Sequence, residues 1–150
     1  MKSESEFGGS VSVVGHGFEH AGRVSNDIKK TLLAKGIPEG IVRRVSVVIF
    51  EVEVNIISYA ETGIIKYQVL PDSIIIEATD QGQGIADIEL AQQEGYSTAD
   101  DKIREMGFGA GMGLSNIKKF SDVFEIKSDV GKGTYVRSVI NIDGKKDHRG

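Results

Sequence analysis

Hydrophobic and polar positions follow two different periods along this chain, and the changes of period mark its elements. Ser10–Val14 alternates Ser and Val, the period of a strand with one buried face. From Phe18 the spacing lengthens. Phe18, Ala21, Val24, Ile28 and Leu32 recur at three and four, which predicts one amphipathic helix. Gly36 is placed to close it as a left-handed cap. Pro38 is placed to open the next helix, where its missing N–H is not needed. Glu39 to about Ala60 carries no breaker after Gly40 and is apolar on most sides. That predicts a buried central helix, although its β-branched run favours a strand on propensity alone.

Beyond the central helix the pattern turns to short strands. Glu61-Thr62-Gly63 reads as a turn. Ile64–Leu70 and Ser73–Thr79 read as strands joined at Pro71-Asp72, a hairpin signal. Asp80–Gly84 reads as a glycine loop, Ala86–Glu94 as a short helix and Gly95–Gly107 as a polar, mobile loop. Gly109–Gly113 leads into a helix from Leu114 to about Phe120. Val123–Ser128 and Thr134–Ile142 read as strands around a Gly131-Lys132-Gly133 turn, and residues 1–9 and 143–150 as flexible tails. Paired strands with no helix between them are antiparallel neighbours. The predicted fold is therefore α+β: a two-layer sandwich, with a mixed, mostly antiparallel sheet of about five strands and helices on one face. With no repeat or linker, residues 1–150 read as a single domain.

Composition narrows the function. The chain has no Cys, which excludes disulfides, thiol nucleophiles and Cys-held metal sites. Its net charge is −4, and its Lys and Arg are scattered, so no nucleic-acid footprint is present. No apolar run reaches the roughly 18 residues that span a bilayer, and the start lacks a signal-peptide apolar region. A soluble, cytoplasmic protein with no membrane partner is expected. The chain has 33 Ile and Val against 5 Leu, which favours strands and stiff buried elements. It also has 19 Gly with only 2 Pro, so the glycines are not low complexity. They gather at 82–84, 107–113 and 131–133.

Four constellations could carry chemistry. Glu51 and Asn55 are one turn apart on the central helix and share a face. A carboxylate and a carboxamide in an apolar stretch need partners. Asn55 could give an oxygen to a hard cation such as Mg²⁺, and Glu51 could deprotonate a nucleophile; a narrow solvent-facing edge is the other reading. Glu53 lies about 200° around the helix from Glu51, so it cannot share that site. Asp80-Gln81-Gly82-Gln83-Gly84 follows a strong strand. Its carboxylate could accept from an exocyclic amine such as that of adenine, or could simply organise a turn. Gly107, Gly109, Gly111 and Gly113 precede a helix, leaving backbone N–H groups and a positive helix end for phosphate. Gly131-Lys132-Gly133-Thr134 alone is a hairpin turn. His16-Gly17-Phe18-Glu19-His20 fits an inverted zinc-protease pattern, but Gly15 and Gly17 make a poor helix start and surface histidines are expected.

Together these boxes resemble those of the GHKL (Bergerat-fold) ATPases. Glu51-x-x-x-Asn55 is similar to the N box, and Asp80-x-Gly82-x-Gly84-Ile85 to the first glycine box. Gly109-x-Gly111-x-Gly113-Leu114 is similar to the second, and Gly131-x-Gly133-Thr134 to the third. The segments Gly84–Thr98 and Asn55–Ala60 resemble the bacterial anti-sigma regulatory serine kinases of the RsbT type. The resemblance implies ATP and Mg²⁺ as cofactors and transfer of phosphate to a serine of a STAS-domain antagonist. It also implies direct binding of partners such as a sigma factor or a phosphatase, and it allows a homodimer. By resemblance Glu51 is the general base, Asn55 the Mg²⁺ ligand and Asp80 the adenine acceptor, with Thr134 nearby through water. Gly82, Gly84 and Ile85 lie against the nucleotide, and Gly109, Gly111, Gly113 and Leu114 wrap the phosphates. Two departures stand out. Ser58 occupies a place where many GHKL proteins have a basic residue, and residues 99–107 lengthen the lid. Lys102 and Arg104 are candidate γ-phosphate cations there. A non-catalytic ATP-dependent switch and a detached histidine-kinase catalytic domain are the alternatives.

Overall fold

Burial, not propensity, decides the longest element. In the structure, a computed structural model that describes residues 7–82, 113–129 and 131–142, Glu39–Tyr59 is one 21-residue helix, α2. Val42, Val45, Val48, Ile49, Val52, Ile56 and Ile57 are each no more than 2% exposed. Burying a Val or Ile contributes roughly 1.5–3 kcal/mol, against a helix-propensity penalty below about 0.7 kcal/mol per residue. The β-branched run is therefore helical, as its length and lack of breakers imply.

The preceding helix is shorter than its apolar stripe suggests. Phe18–His20 forms a 3₁₀ turn, and α1 spans Arg23–Ala34. Gly22 sits between them at φ +93°, outside the helical region, so the two turns cannot merge. Val24, Ile28 and Leu32 still form the buried stripe. At the far end Gly36 adopts φ +85°, with Ile37 N–H donating to the Leu32 carbonyl and Gly36 N–H to that of Leu33, both at 3.1 Å. This is a Schellman cap. Pro38 is the N-cap of α2.

Among the described residues five strands make one sheet: β1 (Phe7–Val14), β2 (Ala60–Val69), β3 (Ser73–Gly82), β4 (Val123–Asp129) and β5 (Gly133–Asn141). Their order is β1-β2-β3-β5-β4, and every pairing is antiparallel. A further helix, α3 (Gly113–Phe120), precedes β4. Ile65, Val69, Ile74, Ile76, Val136 and Ile140 point into the core with the helices. On the other face Lys66, Glu77, Arg137 and Glu125 are successive register partners across β2, β3, β5 and β4, a row of alternating charge. The sandwich with helices on one face is the predicted one.

Three local expectations change. Residues 7–9 are not tail but the start of β1, paired with Tyr67–Val69. Glu61-Thr62-Gly63 is not a turn: β2 leaves α2 directly at Ala60, with a bulge between Ala60 and Gly63. A Cβ on Gly63 would press on the Ile56 side chain at 2.8–3.0 Å, so glycine answers to packing there. Asp80-Gln81-Gly82 is not loop but the end of β3, with Asp80 opposite Thr134 and Gly82 opposite Ala60. The helix expected at 86–94, the loop at 95–107 and the tail at 143–150 lie outside the described residues.

α2 packs against both neighbouring helices and against β1, β2, β3 and β5. Its two flanks differ. Ser46 and Glu53 meet α1, whereas Arg44 and Glu51 meet α3 and the turn after it. Among the described residues, no helix is long and apolar enough to cross a membrane.

Candidate functional site

The α3 flank of α2 carries the predicted polar pair. Glu51 and Asn55 are both half-buried on it. Glu51 Oε2 accepts from Asn116 Nδ2 of α3 at 2.9 Å. Ser58, two turns beyond Glu51, continues the same stripe. It is 3% exposed, and its hydroxyl has no hydrogen-bond partner among the described residues. A buried hydroxyl without a partner is uncommon in a folded protein.

The other flank explains why Glu53 is separate. Its carboxylate, 2% exposed, lies at the N-terminus of α1, where Val24 and Ser25 N–H donate to it at 3.4 Å each. Gly22, the N-cap of α1, makes no side-chain cap, so Glu53 supplies acceptors to the open amides from another helix. Burial pushes this carboxyl above its ordinary value, and the N–H donors of Val24, Ser25 and Gly22 offset only part of that. Glu53 is a structural cap turned away from Glu51, as the helical angle predicts.

The strand ends form the second half of the site. Asp80 continues the core-facing row Ile74, Ile76, Ala78 to the mouth of the sheet, where it is half-buried. Its Oδ1 accepts Thr134 N–H at 3.2 Å. Thr134, 8% exposed, shares a 2.9 Å hydroxyl–hydroxyl bond with Ser128, whose hydroxyl also donates to the Gly133 carbonyl at 2.9 Å. Gly133 stands at φ +123°, and a Cβ there would collide with the Asp80 carbonyl. The close approach of β5 to the Asp80 end of β3 thus requires glycine. A cleft of about 500 Å³ opens beside it, lined by His16, Tyr59, Glu61, Gln81 and Lys132 among others. The lining residues do not include Glu51, Asn55 or Asp80; the cleft adjoins the strand ends rather than covering the helix face.

Leu114, 7% exposed, belongs to the core at the first turn of α3. Gly82 and Gly113 lie at the ends of β3 and α3. Gly84, Ile85, Lys102, Arg104, Gly109 and Gly111 lie outside the described residues. The histidine motif does not assemble: His16 is in a turn at φ +64°, and His20 bonds Arg23 at 2.8 Å from the 3₁₀ turn. Among the described residues no group of three His, Cys, Asp or Glu could hold a metal ion. Sequence reasoning missed Asn116 and Ser128. The available signal for Asn116 was a lone carboxamide between buried Leu114 and Ile117, but its partner lies 65 positions away.

Comparison with known proteins gives the family. The chain is 40% identical over 73 residues to an anti-sigma F factor of Caldanaerobacter subterraneus subsp. tengcongensis, covering 49% of this chain and 48% of that protein. It is 33% identical over 100 residues to the serine/threonine-protein kinase RsbT of Bacillus subtilis, covering 64% of this chain and 69% of RsbT. An anti-sigma F factor of Thermoanaerobacter sp. is 39% identical over 82 residues, 55% of this chain and 54% of that protein. The matches thus span about half the length of the anti-sigma F relatives. The family described as histidine kinase-, DNA gyrase B-, and HSP90-like ATPase matches residues 40–143, from the start of α2 to just past β5. With about two thirds of its length inside that match, the chain belongs to this GHKL ATPase family, a membership that implies ATP binding.

Proposed function

We propose that the chain is an ATP-dependent protein-serine kinase of anti-sigma regulation, acting in the cytoplasm on a serine of a STAS-domain antagonist protein. The observation that carries this reading is Glu51: a half-buried carboxylate, hydrogen-bonded by Asn116 and one helical turn from Asn55. The similarity to RsbT, a named serine/threonine kinase, supports the same choice.

Phosphoryl transfer needs positioning and charge neutralisation more than covalent chemistry from the protein. Glu51 takes the proton of the serine hydroxyl as its oxygen bonds to the γ-phosphorus and the bond to the leaving ADP oxygen breaks. Asp80 accepts from the adenine amino group, with Thr134 beside it through water. Gly82, Gly84 and Ile85 lie against the nucleotide, while Gly109, Gly111, Gly113 and Leu114 enclose its phosphates. Lys102 and Arg104 are the lid cations proposed for the γ-phosphate.

Mg²⁺ fits the donors present. The described residues offer no cluster of three carboxylates or imidazoles, but Asn55 offers a carboxamide oxygen on the Glu51 face. That suits a cation that keeps waters and takes its remaining ligands from substrate phosphates. Held by Asn55, Mg²⁺ would neutralise the polyphosphate charge.

A second reading, an ATP-dependent switch that binds a sigma factor without catalysis, draws on the anti-sigma F names of several relatives. Incubation with radiolabelled ATP and a STAS-domain protein separates the readings. Acid-stable label on the partner is expected. Acid-labile label would indicate a histidine kinase, and no label would leave the switch.

A further inference from the structure

Asn116 belongs to none of the four boxes, yet its Nδ2 donates to Glu51 Oε2 at 2.9 Å across 65 positions of sequence. Local chain geometry does not enforce this contact. It requires α3 to lie against α2 in one register, and the fold holds that register at two places. Leu114 and Ile117, 7% and 0% exposed, seat one side of α3 in the core. At the other end of α3, Arg44 donates to the carbonyl of its last residue, Phe120, at 3.1 and 3.3 Å and to Asp122 Oδ2 at 3.0 Å. Arg44 precedes Glu51 by seven residues, two helical turns, so both lie on one face of α2. The earlier residue of α2 meets the later part of α3, and the later residue meets the earlier part. The helices therefore run antiparallel, tied at two points along one seam.

The chemistry of the tie suits a base. A carboxamide donor is uncharged, so it orients a carboxylate without neutralising it as Lys or Arg would. A carboxylate offers about four lone-pair sites, and one bond to Asn116 leaves acceptor capacity for a substrate hydroxyl. The half-buried setting limits competition from water for the same oxygen. On the kinase reading above, on which this rests, we infer that Asn116 is a positioning residue for the reaction. It holds Glu51 in the rotamer that receives the serine proton and touches neither nucleotide nor serine. The Arg44–Phe120–Asp122 tie keeps α3 where Asn116 can do so.

The test uses the full chain with Mg·ATP and a STAS-domain protein, in four variants: Asn116→Ala, Asn116→Gln, Glu51→Ala and the Asn116→Ala/Glu51→Ala pair. Asn116→Ala is expected to lower kcat by about 10–10²-fold, the scale of a misplaced catalytic group, with the KM for ATP within about twofold of its original value. A merely structural loosening of α3 would move KM and the melting temperature as well. Asn116→Gln, which keeps an amide donor, restores part of kcat. In the Glu51→Ala background, Asn116→Ala adds no further loss, because it acts only through that carboxylate. Without any activity assay, the Asn116 side-chain amide resonances shift when Glu51 is changed to Gln. Full transfer by Asn116→Ala, a multiplicative loss in the pair, or unmoved amide resonances would each overturn the inference while leaving the kinase reading in place. Normal transfer by Glu51→Ala, or no transfer by the unsubstituted chain, overturns that reading and this inference with it.

Discussion

The carboxylate of Asp80 accepts the backbone N–H of Thr134 at 3.2 Å, across the β3–β5 pair in which the two residues are register partners. The bond fixes the carboxylate at the mouth of the sheet. Asp80→Asn keeps an oxygen that can accept the same N–H, so the fold should persist. It removes the charge proposed to meet the adenine amine. ATP affinity is expected to fall by about 1.5–3 kcal/mol, the range for a hydrogen bond to a charged group. Titration calorimetry showing unchanged affinity would remove the adenine role from Asp80.

Glu51 and Asn55 share a helix face but are given different tasks, and paired variants separate them. Asn55→Ala should weaken Mg·ATP binding and transfer together. Glu51→Ala should leave nucleotide affinity largely intact and cut transfer by about 10²–10⁴-fold, as for loss of a general base. ATP titration and transfer to a STAS-domain protein are measured on each. Equal damage to binding in both variants contradicts the division of roles.

Glu53 makes stability depend on pH. Its folded carboxyl titrates above the ordinary value of 4.5 because burial disfavours the charge. The folded state therefore holds its proton longer than the unfolded chain does, so stability falls as pH rises from about 4.5 through the folded value. Glu53→Gln should flatten that slope in urea melts taken across the window. Glu53→Ala should in addition cost about 0.5–2 kcal/mol, as for loss of a helix N-cap. An identical pH slope in the unsubstituted chain and Glu53→Gln would contradict the assignment.

Asp122 collects bonds from distant elements: the Arg44 guanidinium at 3.0 Å and Asn141 N–H at 2.7 Å. Both side chains of the ion pair are partly shielded, at 27% and 17% exposure. Asp122→Ala should destabilise the fold by roughly 1.5–3 kcal/mol, since it leaves Arg44 and a strand N–H short of an acceptor. The urea midpoint measures it, and an unchanged midpoint would mean that water replaces the carboxylate at no cost.

What the sequence determined alone was everything that depends on neighbours within a few residues. A run from Ile41 to Tyr59 without a breaker had to be helix once buried. The hairpin at Pro71-Asp72, the cap at Gly36 and the shared face of Glu51 and Asn55 follow from local geometry. The tertiary structure decided whatever depends on contacts across the chain. Gly63 looked like a turn because its need to avoid Ile56 is visible only when α2 lies on β2. Gly8 and Gly9 looked like tail, yet a Cβ on either would press on Tyr67. Asp80 looked like loop until β5 paired with it. The strand order β1-β2-β3-β5-β4, the capping of α1 by Glu53 and the bond from Asn116 to Glu51 join positions from 28 to 65 apart where side-chain bonds are concerned. No periodicity encodes such pairs, because the free energy that selects them comes from burying whole faces together rather than from the residues on either side.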